Sequence, residues 1–283
     1  MLILGMNKYI SYNHIRKCIK RLKEGIMRYY LILRVKLGDG TVFDVGGSSA
    51  LIYFSSDEEL STVEYIRKEE SEIISRVLSK IEKDDIVWDV GANIGVHSCL
   101  FAEKAEKVVA FEPYKPNVNS LRKNKLMNNL DIKICRIGLS DNNGREEISI
   151  PEKESPGNQW PALLPNDMSE SRKESLENSE KKEIKVKKGD TIIGEKISLP
   201  NVVKVDVEGA SMNVLKGMEK ILGKDSCRLV YVEIHLPMSN QSRPSIKDFG
   251  HEIGEIKELL NRKGFETKNV VERDNDFFLR GEK

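Results

Sequence analysis

Short apolar runs alternate with helix-periodic segments through most of the chain. Five runs are typical of buried strands, and they lie at 86–90, 108–111, 132–136, 202–207 and 229–234. Apolar side chains spaced at 3.6 residues predict helices at 96–105, 117–127, 211–222 and 253–263. Buried strands that alternate with helices run parallel and are joined by crossovers, so the pattern predicts an α/β protein with a doubly wound sheet.

The segments around this core complete the predicted domain. Helical periodicity at 58–81 leads into the first strand, and two final strands, 265–271 and 276–280, are expected to form an antiparallel hairpin at the sheet edge. Shorter strands are predicted at 147–150 and 183–187. We therefore divide the chain into an accessory region, 1–57, and a main domain, 58–283, with an insert at 151–182.

The insert at 151–182 is polar and rich in Pro, Ser, Glu, Asn and Lys, so we expect a loop. Trp160 lies within it. A tryptophan in a polar loop either anchors the loop to the core or stacks on a flat substrate face. The loop is therefore our expected lid on the acceptor side of the site.

The first 30 residues contain seven Lys or Arg and one acid, Glu24. Apolar side chains recur among them at helical spacing: Tyr12, Ile15, Ile19, Leu22 and Ile26. This is the pattern of a basic amphipathic helix. We expect its apolar stripe to pack on the chain's own domain, and peripheral contact with a membrane surface or a partner is the alternative.

The segment after this helix is rich in residues that favour β-strands. Residues 31–37 and 41–45, with the turn pair Asp39-Gly40 between them, predict a hairpin, and 50–54 predicts one more short strand. The accessory region is thus expected to be a small helix with a β-hairpin extension.

Composition narrows the class of protein. The 283 residues include 46 basic and 45 acidic side chains, so a formal charge of +1 gives no general attraction to nucleic acid, and we expect no nucleic-acid partner. The four cysteines lie far apart, which argues against zinc knuckles and disulfides and favours a reducing cytoplasm. The apolar start is too short for a signal-peptide core, so we expect no secretion.

A glycine-containing turn follows the first predicted core strand, in the sequence Asp89-Val90-Gly91-Ala92-Asn93-Ile94-Gly95. In such sheets the ligand lies beyond the carboxyl ends of the strands, where glycines let the backbone approach it. Glu112 ends the next strand, where an acid can accept hydrogen bonds from both ribose hydroxyls. A dinucleotide turn needs a glycine where Asn93 stands, so a nucleoside joined to an amino acid fits better than a pyrophosphate.

Polar residues also follow two later strands, and they are Asp206, Glu208, Glu233 and His235. Such side chains can orient a substrate, take a proton from a hydroxyl or hold a divalent cation. The plainer alternative is that one or two carboxylates only cap helices or accept backbone hydrogen bonds. We assign no metal to the site.

Five strings together resemble the FkbM family of S-adenosylmethionine-dependent methyltransferases: VWDVGANIGVHSCLFA, VVAFEPYKPNVNSLRKN, RIGLSDNNG, VVKVDVEGASMNVLKGMEKIL and VYVEIH. The resemblance covers about residues 84–150 and 184–236. It implies a seven-stranded, Rossmann-like class I methyltransferase fold, S-adenosylmethionine as cofactor, and O-methylation of a sugar, glycan or natural-product hydroxyl. Ser211 and Met212 stand where the family often has an acid, so that helix start receives no role.

The resemblance also implies roles for particular residues. The family's cofactor turn falls on Asp89, Gly91, Asn93 and Gly95, its ribose acid on Glu112, and its adenine-side segment on Ser140 and Asp141. For proton removal from the acceptor we favour His235, because imidazole ionises near neutral pH, with Glu208, Glu233 and Asp206 as alternatives. His97 begins the helix after the turn, and we interpret it as structural.

Three rival functions follow from the same residues. An RNA methyltransferase on this fold would need a basic channel with interleaved aromatics, and only the N-terminal helix is basic. A cofactor-binding scaffold would bind the ligand without transferring a methyl group. A nicotinamide dehydrogenase requires Asn93 to tolerate a pyrophosphate.

Overall fold

The computed structural model describes residues 12–37, 39–150, 162–164, 179–194, 197–237, 244–272 and 276–283. Its α-helices are α1 Tyr12–Lys36, α2 Asp57–Tyr65, α3 Ser71–Leu78, α4 Val96–Ala102, α5 Lys115–Asn128, α6 Ser211–Lys216, α7 Glu219–Leu222 and α8 Ile253–Arg262. A π-helical turn, Ile66–Glu70, joins α2 to α3, and short 3-10 turns lie at Gly189–Thr191 and Ile246–Phe249.

The strands form three sheets. In chain order they are β1 Gly40–Val45, β2 Ser48–Tyr53, β3 Ile86–Val90, β4 Lys107–Phe111, β5 Ile132–Cys135, β6 Gly138–Leu139, β7 Gly144–Ile150, β8 Ala162–Leu163, β9 Glu180–Lys187, β10 Val202–Val205, β11 Leu229–His235, β12 Glu266–Glu272 and β13 Asp276–Glu282. β1 and β2 pair with each other, and β6, β9, β7 and β8 form a four-stranded sheet.

The central sheet has seven strands in the order β5-β4-β3-β10-β11-β13-β12. Strands β3, β4, β5, β10 and β11 run parallel, and β13 is antiparallel to both of its neighbours. Strand order reverses between β3 and β10, which opens a crevice at their carboxyl ends. The predicted doubly wound, seven-stranded α/β sheet and the antiparallel pair at its edge are confirmed.

The central strands are buried on both faces, which explains why their sequences are almost continuously apolar. All seven residues of β11 and all four of β10 are buried. Neighbouring residues of β3 point to opposite faces, so Val87 joins one apolar core and Trp88 the other. The few polar side chains in these strands, among them Asp89, Lys204 and Glu233, lie toward the carboxyl ends and are buried there.

The prediction of a strand at 31–37 was wrong. This segment continues α1, because helical spacing lets Leu31 and Val35 pack against Tyr53 and Met127. The hairpin instead consists of β1 and β2, and its turn lies at Gly46-Gly47, where both residues have positive φ. β-branched text was a weak signal there, because tertiary packing overrides it.

The hairpin shares the core of the main domain. Phe43, Ala50 and Ile52 belong to the same buried cluster as Val87. Asn124 of α5 strengthens the connection, since its side chain accepts the Tyr53 backbone N–H at 2.8 Å and donates to the Ile94 carbonyl at 2.9 Å. The hairpin, α5 and the glycine turn are thus tied together.

Our expectation that the apolar stripe of α1 packs on its own domain was also wrong for its described members. Ile19, Leu22 and Ile26 are 49%, 67% and 63% exposed. Among the side chains that the structure describes, those in the second half of the helix contact the domain: Leu31 and Val35 pack on it, and Arg28 Nε donates to the Met127 carbonyl at 3.0 Å.

Several predicted boundaries changed. The helix predicted at 58–81 is interrupted by the π-helical turn, and the helix predicted at 211–222 breaks at Gly217-Met218. A Cβ on Gly217 would lie 2.0 Å from the Ser140 carbonyl oxygen, so the break lets two backbones meet closely. Two parts of the polar insert form strands, β8 and the beginning of β9, while Trp160 lies outside the described residues.

Candidate active site

A tight turn joins β3 to α4 at the crevice. Gly91, Asn93 and Gly95 have φ values of 79°, 51° and 90°, which place them in the left-handed region. A Cβ on Gly91 would lie 1.8 Å from the Asp206 carbonyl oxygen, so only glycine allows this turn to lie against the end of β10. The turn and the polar residues after β10 thereby form one site.

Asp89 lies beneath this turn. It is fully buried, accepts a hydrogen bond from the Ser98 hydroxyl at 2.5 Å and lies 3.5 Å from the Lys204 ammonium. Its side chain therefore joins β3 to α4 and β10 and does not line the cavity above. Gly95 shapes the turn from outside the cavity lining as well.

Glu112 lies at the cavity wall, one residue beyond the end of β4. Its two carboxylate oxygens accept backbone N–H groups of Asn93 at 2.9 Å and Tyr114 at 2.8 Å. Burial raises its pKa to about 7, against the opposing effect of these hydrogen bonds. The turn and this acid are thus held in a fixed relation, and the role of Glu112 toward a ribose stays a prediction.

Ser140 and Asp141 lie to one side of the cavity. The Ser140 hydroxyl donates to Glu146 at 3.0 Å, and Gly138 and Leu139 line the cavity in their place. Ser140 and Asp141 therefore lie beside the cavity, directly after the strand whose residues line it.

The four predicted polar residues converge at the other end of the cavity, and Asp206, Glu208, Glu233 and His235 all line it. Nε2 of His235 lies 3.4 Å from Glu208, 3.6 Å from Glu233 and 4.0 Å from Asp276. The imidazole is 1% exposed and has carboxylates around it, so its position suits transfer of a proton in a site that excludes water.

Buried charges set the electrostatics of this cluster. Burial opposes ionisation of Asp206, but Lys204, 2.9 Å away, and His235 outweigh it and lower its pKa to about 2. Burial, followed by the charges of Asp206 and Glu70, raises the pKa of Glu233 well above its usual range. Asp206 is therefore an anion at neutral pH, whereas Glu233 favours its protonated form.

Sequence reasoning missed three members of the site. Lys204 on β10 is 8% exposed, and Glu70, on the π-helical turn, lies 3.0 Å from His97 Nε2. π-helical turns are frequent at functional sites. An available signal was the acidic residue within the apolar face of the helix predicted at 58–81. His97, which we interpreted as structural, also lines the cavity.

The cavity opens to solvent on one side, and about 1060 Å³ of space free of protein atoms, open solvent included, lies in and over it. It is lined at one end by the Gly91–Asn93 turn and Glu112, and at the other by the carboxylate and imidazole cluster.

The same cluster has the ligand types of a divalent cation. Two groups of donor atoms lie within 4.8 Å of one another: Glu70, His97 and Asp206 form one, and Asp206, Glu233 and His235 form the other. Carboxylate oxygens suit Mg²⁺ or Mn²⁺, and imidazole suits later transition metals. These groups could hold a metal, although Lys204 already balances part of the charge of Asp206.

The fold and the site define a methyltransferase of the α/β class. The family model described as Methyltransferase FkbM domain matches residues 89–267, which contain every residue of the predicted site. The chain belongs to this family.

The chain is also similar to proteins of known name. The chain is 33% identical over 241 residues to hexuronic acid methyltransferase AglP of Haloferax volcanii, covering 84% of this chain and 87% of that protein. It is 25% identical over 228 residues to Methyltransferase 1 of Beauveria bassiana, covering 75% and 83%. A crystal structure of Methyltransferase FkbM from Methylobacillus flagellatus aligns with a TM-score of 0.41 and 15% identity, covering 80% of this chain and 55% of that one.

Gly91→Ala tests the close approach of the turn to β10. The methyl group would need to displace the Asp206 peptide, so we expect the free energy of unfolding to fall by about 3 kcal/mol or more. Gly47→Ala is the matched control, because Gly47 has the same φ of 79° but open space around it. It should cost only about 1–2 kcal/mol, the effect of the left-handed backbone. Equal losses in chemical denaturation would contradict the steric explanation.

Proposed function

We propose that the protein transfers a methyl group from S-adenosylmethionine to a hydroxyl of a sugar, and that sugars carrying a uronic acid are its first acceptor class. One observation carries the proposal: a single cavity connects a nucleoside-type turn with Glu112 to a buried cluster of bases. The acceptor class is supported by the name of the hexuronic acid methyltransferase to which the chain is similar.

The cofactor end fits a nucleoside with an attached amino acid. Glu112 can accept the two ribose hydroxyls, and its carboxylate is positioned by two backbone N–H groups. Asn93 occupies the place of the glycine that would clear room for a pyrophosphate. The residues present therefore fit S-adenosylmethionine better than a dinucleotide.

When bound, the cofactor supplies an activated methyl group on a sulfonium, so the protein has little covalent chemistry to perform. Its residues must align the acceptor oxygen and exclude water. The cluster between β10 and β11 lies at the right end of the cavity for this work, and its buried acids and imidazoles offer hydrogen bonds to sugar hydroxyls.

His235 is the base that we propose for the acceptor hydroxyl. Its Nε2 lies 3.4 Å from the Glu208 carboxylate, and a charge there stabilises an imidazolium after the proton has been taken, which favours transfer in that direction. The pair of Glu70 and His97 has the same chemistry on the opposite side of Asp206 and is the alternative base. Lys204 keeps Asp206 charged and holds it in place.

Acceptor identity can be tested directly. Full-length protein is incubated with methyl-labelled S-adenosylmethionine and a matched set of glycosides in which glucuronic or galacturonic acid replaces the neutral hexose. We expect label in the uronic-acid members, at a hydroxyl. Transfer to the neutral members alone would remove the uronic-acid class. Cofactor binding without transfer to any glycoside would favour the scaffold function.

Glu112 predicts how affinity for the nucleoside depends on pH. The ionised carboxylate is the better acceptor for ribose hydroxyls, and burial raises its pKa to about 7. Affinity for 5′-methylthioadenosine, which has no group that titrates near neutrality, should therefore rise about tenfold from about pH 6 to about pH 8. Calorimetric titration measures it.

Two variants control this prediction. Glu112→Gln should bind weakly and with the same affinity across that pH range. Glu106→Gln, which changes an exposed acid just before β4, should keep the tenfold rise. A rise that persists in Glu112→Gln would assign the titration to another group.

His235→Gln should reduce kcat by about a hundredfold or more while leaving the cofactor dissociation constant nearly unchanged. The rate of the wild-type protein should fall as pH is lowered, because the protonated imidazole cannot accept a proton, and the variant should lack this acidic limb. His251→Gln is the matched control, since His251 lies outside the cavity lining. A loss confined to His97→Gln would transfer the role to the pair with Glu70.

A further inference from the structure

Helix α1 carries a continuous apolar stripe that faces solvent. Among the described residues, ten large apolar side chains are exposed, and eight of them lie between residues 19 and 37: Ile19, Leu22, Ile26, Met27, Tyr29, Tyr30, Leu33 and Leu37. The other two, Val42 and Ile193, are isolated. Scattered exposed side chains need no explanation, but a concentration of this kind marks an interaction surface.

The stripe lies on the side of α1 opposite to the domain. At 100° per residue, its members other than Met27 fall within a sector about 100° wide. Leu31 and Val35, which pack against the domain, point about 150–170° away from the centre of that sector. The stripe is therefore not a misplaced part of the domain core, because the helix already buries a different face.

Cations border the stripe on both sides. Lys23 and Arg34 lie along one border and Lys36 along the other, and the Arg34 guanidinium also donates to the Tyr30 hydroxyl at 2.7 Å. The helix has eight Lys or Arg against one acid, Glu24, in a chain whose formal charge is only +1, so the remaining residues are net acidic. The positive charge is thus concentrated on this one element.

We propose that α1 docks the protein on an anionic lipid surface. An apolar stripe that enters the acyl boundary, with cations at the headgroup level, is the arrangement of helices that lie in a membrane interface. Tyr29 and Tyr30 suit that depth, since each has an apolar ring and a polar tip. A second copy of α1 is disfavoured as the occupant, because it would bring two rows of like charge together.

The helix lies on the surface and does not cross it. Among the described residues, no helix is both long enough and apolar enough to span a bilayer. With 25 residues α1 is about 37 Å long, so the stripe can contact lipid along most of its length while the catalytic domain stands above.

Flotation of the full chain with vesicles tests the proposal. One vesicle set is phosphatidylcholine alone, and the other contains about a third phosphatidylserine. We expect binding to the anionic set, at least about tenfold weaker binding to the neutral set, and weaker binding as salt is raised. Absence of flotation with the anionic vesicles would overturn the proposal.

Three variants distinguish binding through the stripe from nonspecific adsorption to lipid. Leu22→Ser, Ile26→Ser and Leu33→Ser together should reduce anionic-vesicle binding by about tenfold or more, with an unchanged melting temperature because these side chains are exposed. Lys23→Gln with Lys36→Gln, one cation from each border, should reduce it by about tenfold through lost charge. Val42→Ser with Ile193→Ser, the matched control, should bind as the wild type does.

Two outcomes would contradict the role of the stripe. Full binding by the triple variant would show that lipid contacts another surface. A concentration-dependent dimer, measured by light scattering, that the triple variant loses and that occurs without flotation would assign the stripe to contact between copies. None of these measurements depends on the acceptor or on catalysis, so failure of the proposed reaction would leave them interpretable.

Discussion

The close approach of the Gly91 turn to the end of β10 is the constraint on which the site depends. Because strand order reverses between β3 and β10, their carboxyl ends are adjacent but lead into different connections. A turn with a side chain at residue 91 could not lie against the Asp206 carbonyl. Because Gly91 has no side chain, the nucleoside-type turn, Glu112 and the cluster around Asp206 share one cavity. The proposed transfer from a methyl donor to an acceptor requires such a shared cavity.

At that cavity, several buried charges have a partner of opposite charge. Lys204 lies between Asp89 and Asp206, and Glu70 pairs with His97. Removing any one partner would leave a charge in a medium that solvates it poorly, which costs far more than the pair contributes in water. The network therefore has two consequences: it keeps Asp206 ionised, and it places imidazoles near carboxylates, an arrangement that suits the proton removal that we propose.

The N-terminal region contributes both to the main core and to the exposed surface of the protein. Its hairpin is part of the main core and, through Asn124, is tied to the glycine turn. Its helix buries one face on the domain and leaves a second apolar face in solvent. The proposed membrane docking would benefit from this geometry, because α1 packs on β2 and α5, and α5 in turn hydrogen-bonds to the glycine turn at the cavity.

The sequence by itself determined the doubly wound sheet, the turn at Gly91 to Gly95, Glu112, and the convergence of Asp206, Glu208, Glu233 and His235. These follow from local periodicity and from the rule that carboxyl ends of parallel strands meet at one edge. Only the tertiary structure decided that residues 31–36 are helical, that Glu70 and Lys204 join the site, and that Asp89 lies beneath it. The physical reason is that these outcomes depend on contacts between segments distant in the chain, such as Leu31 with Met127 and Glu70 with His97. A local pattern can mark an acid on an apolar helix face, as at Glu70, but it does not identify the partner.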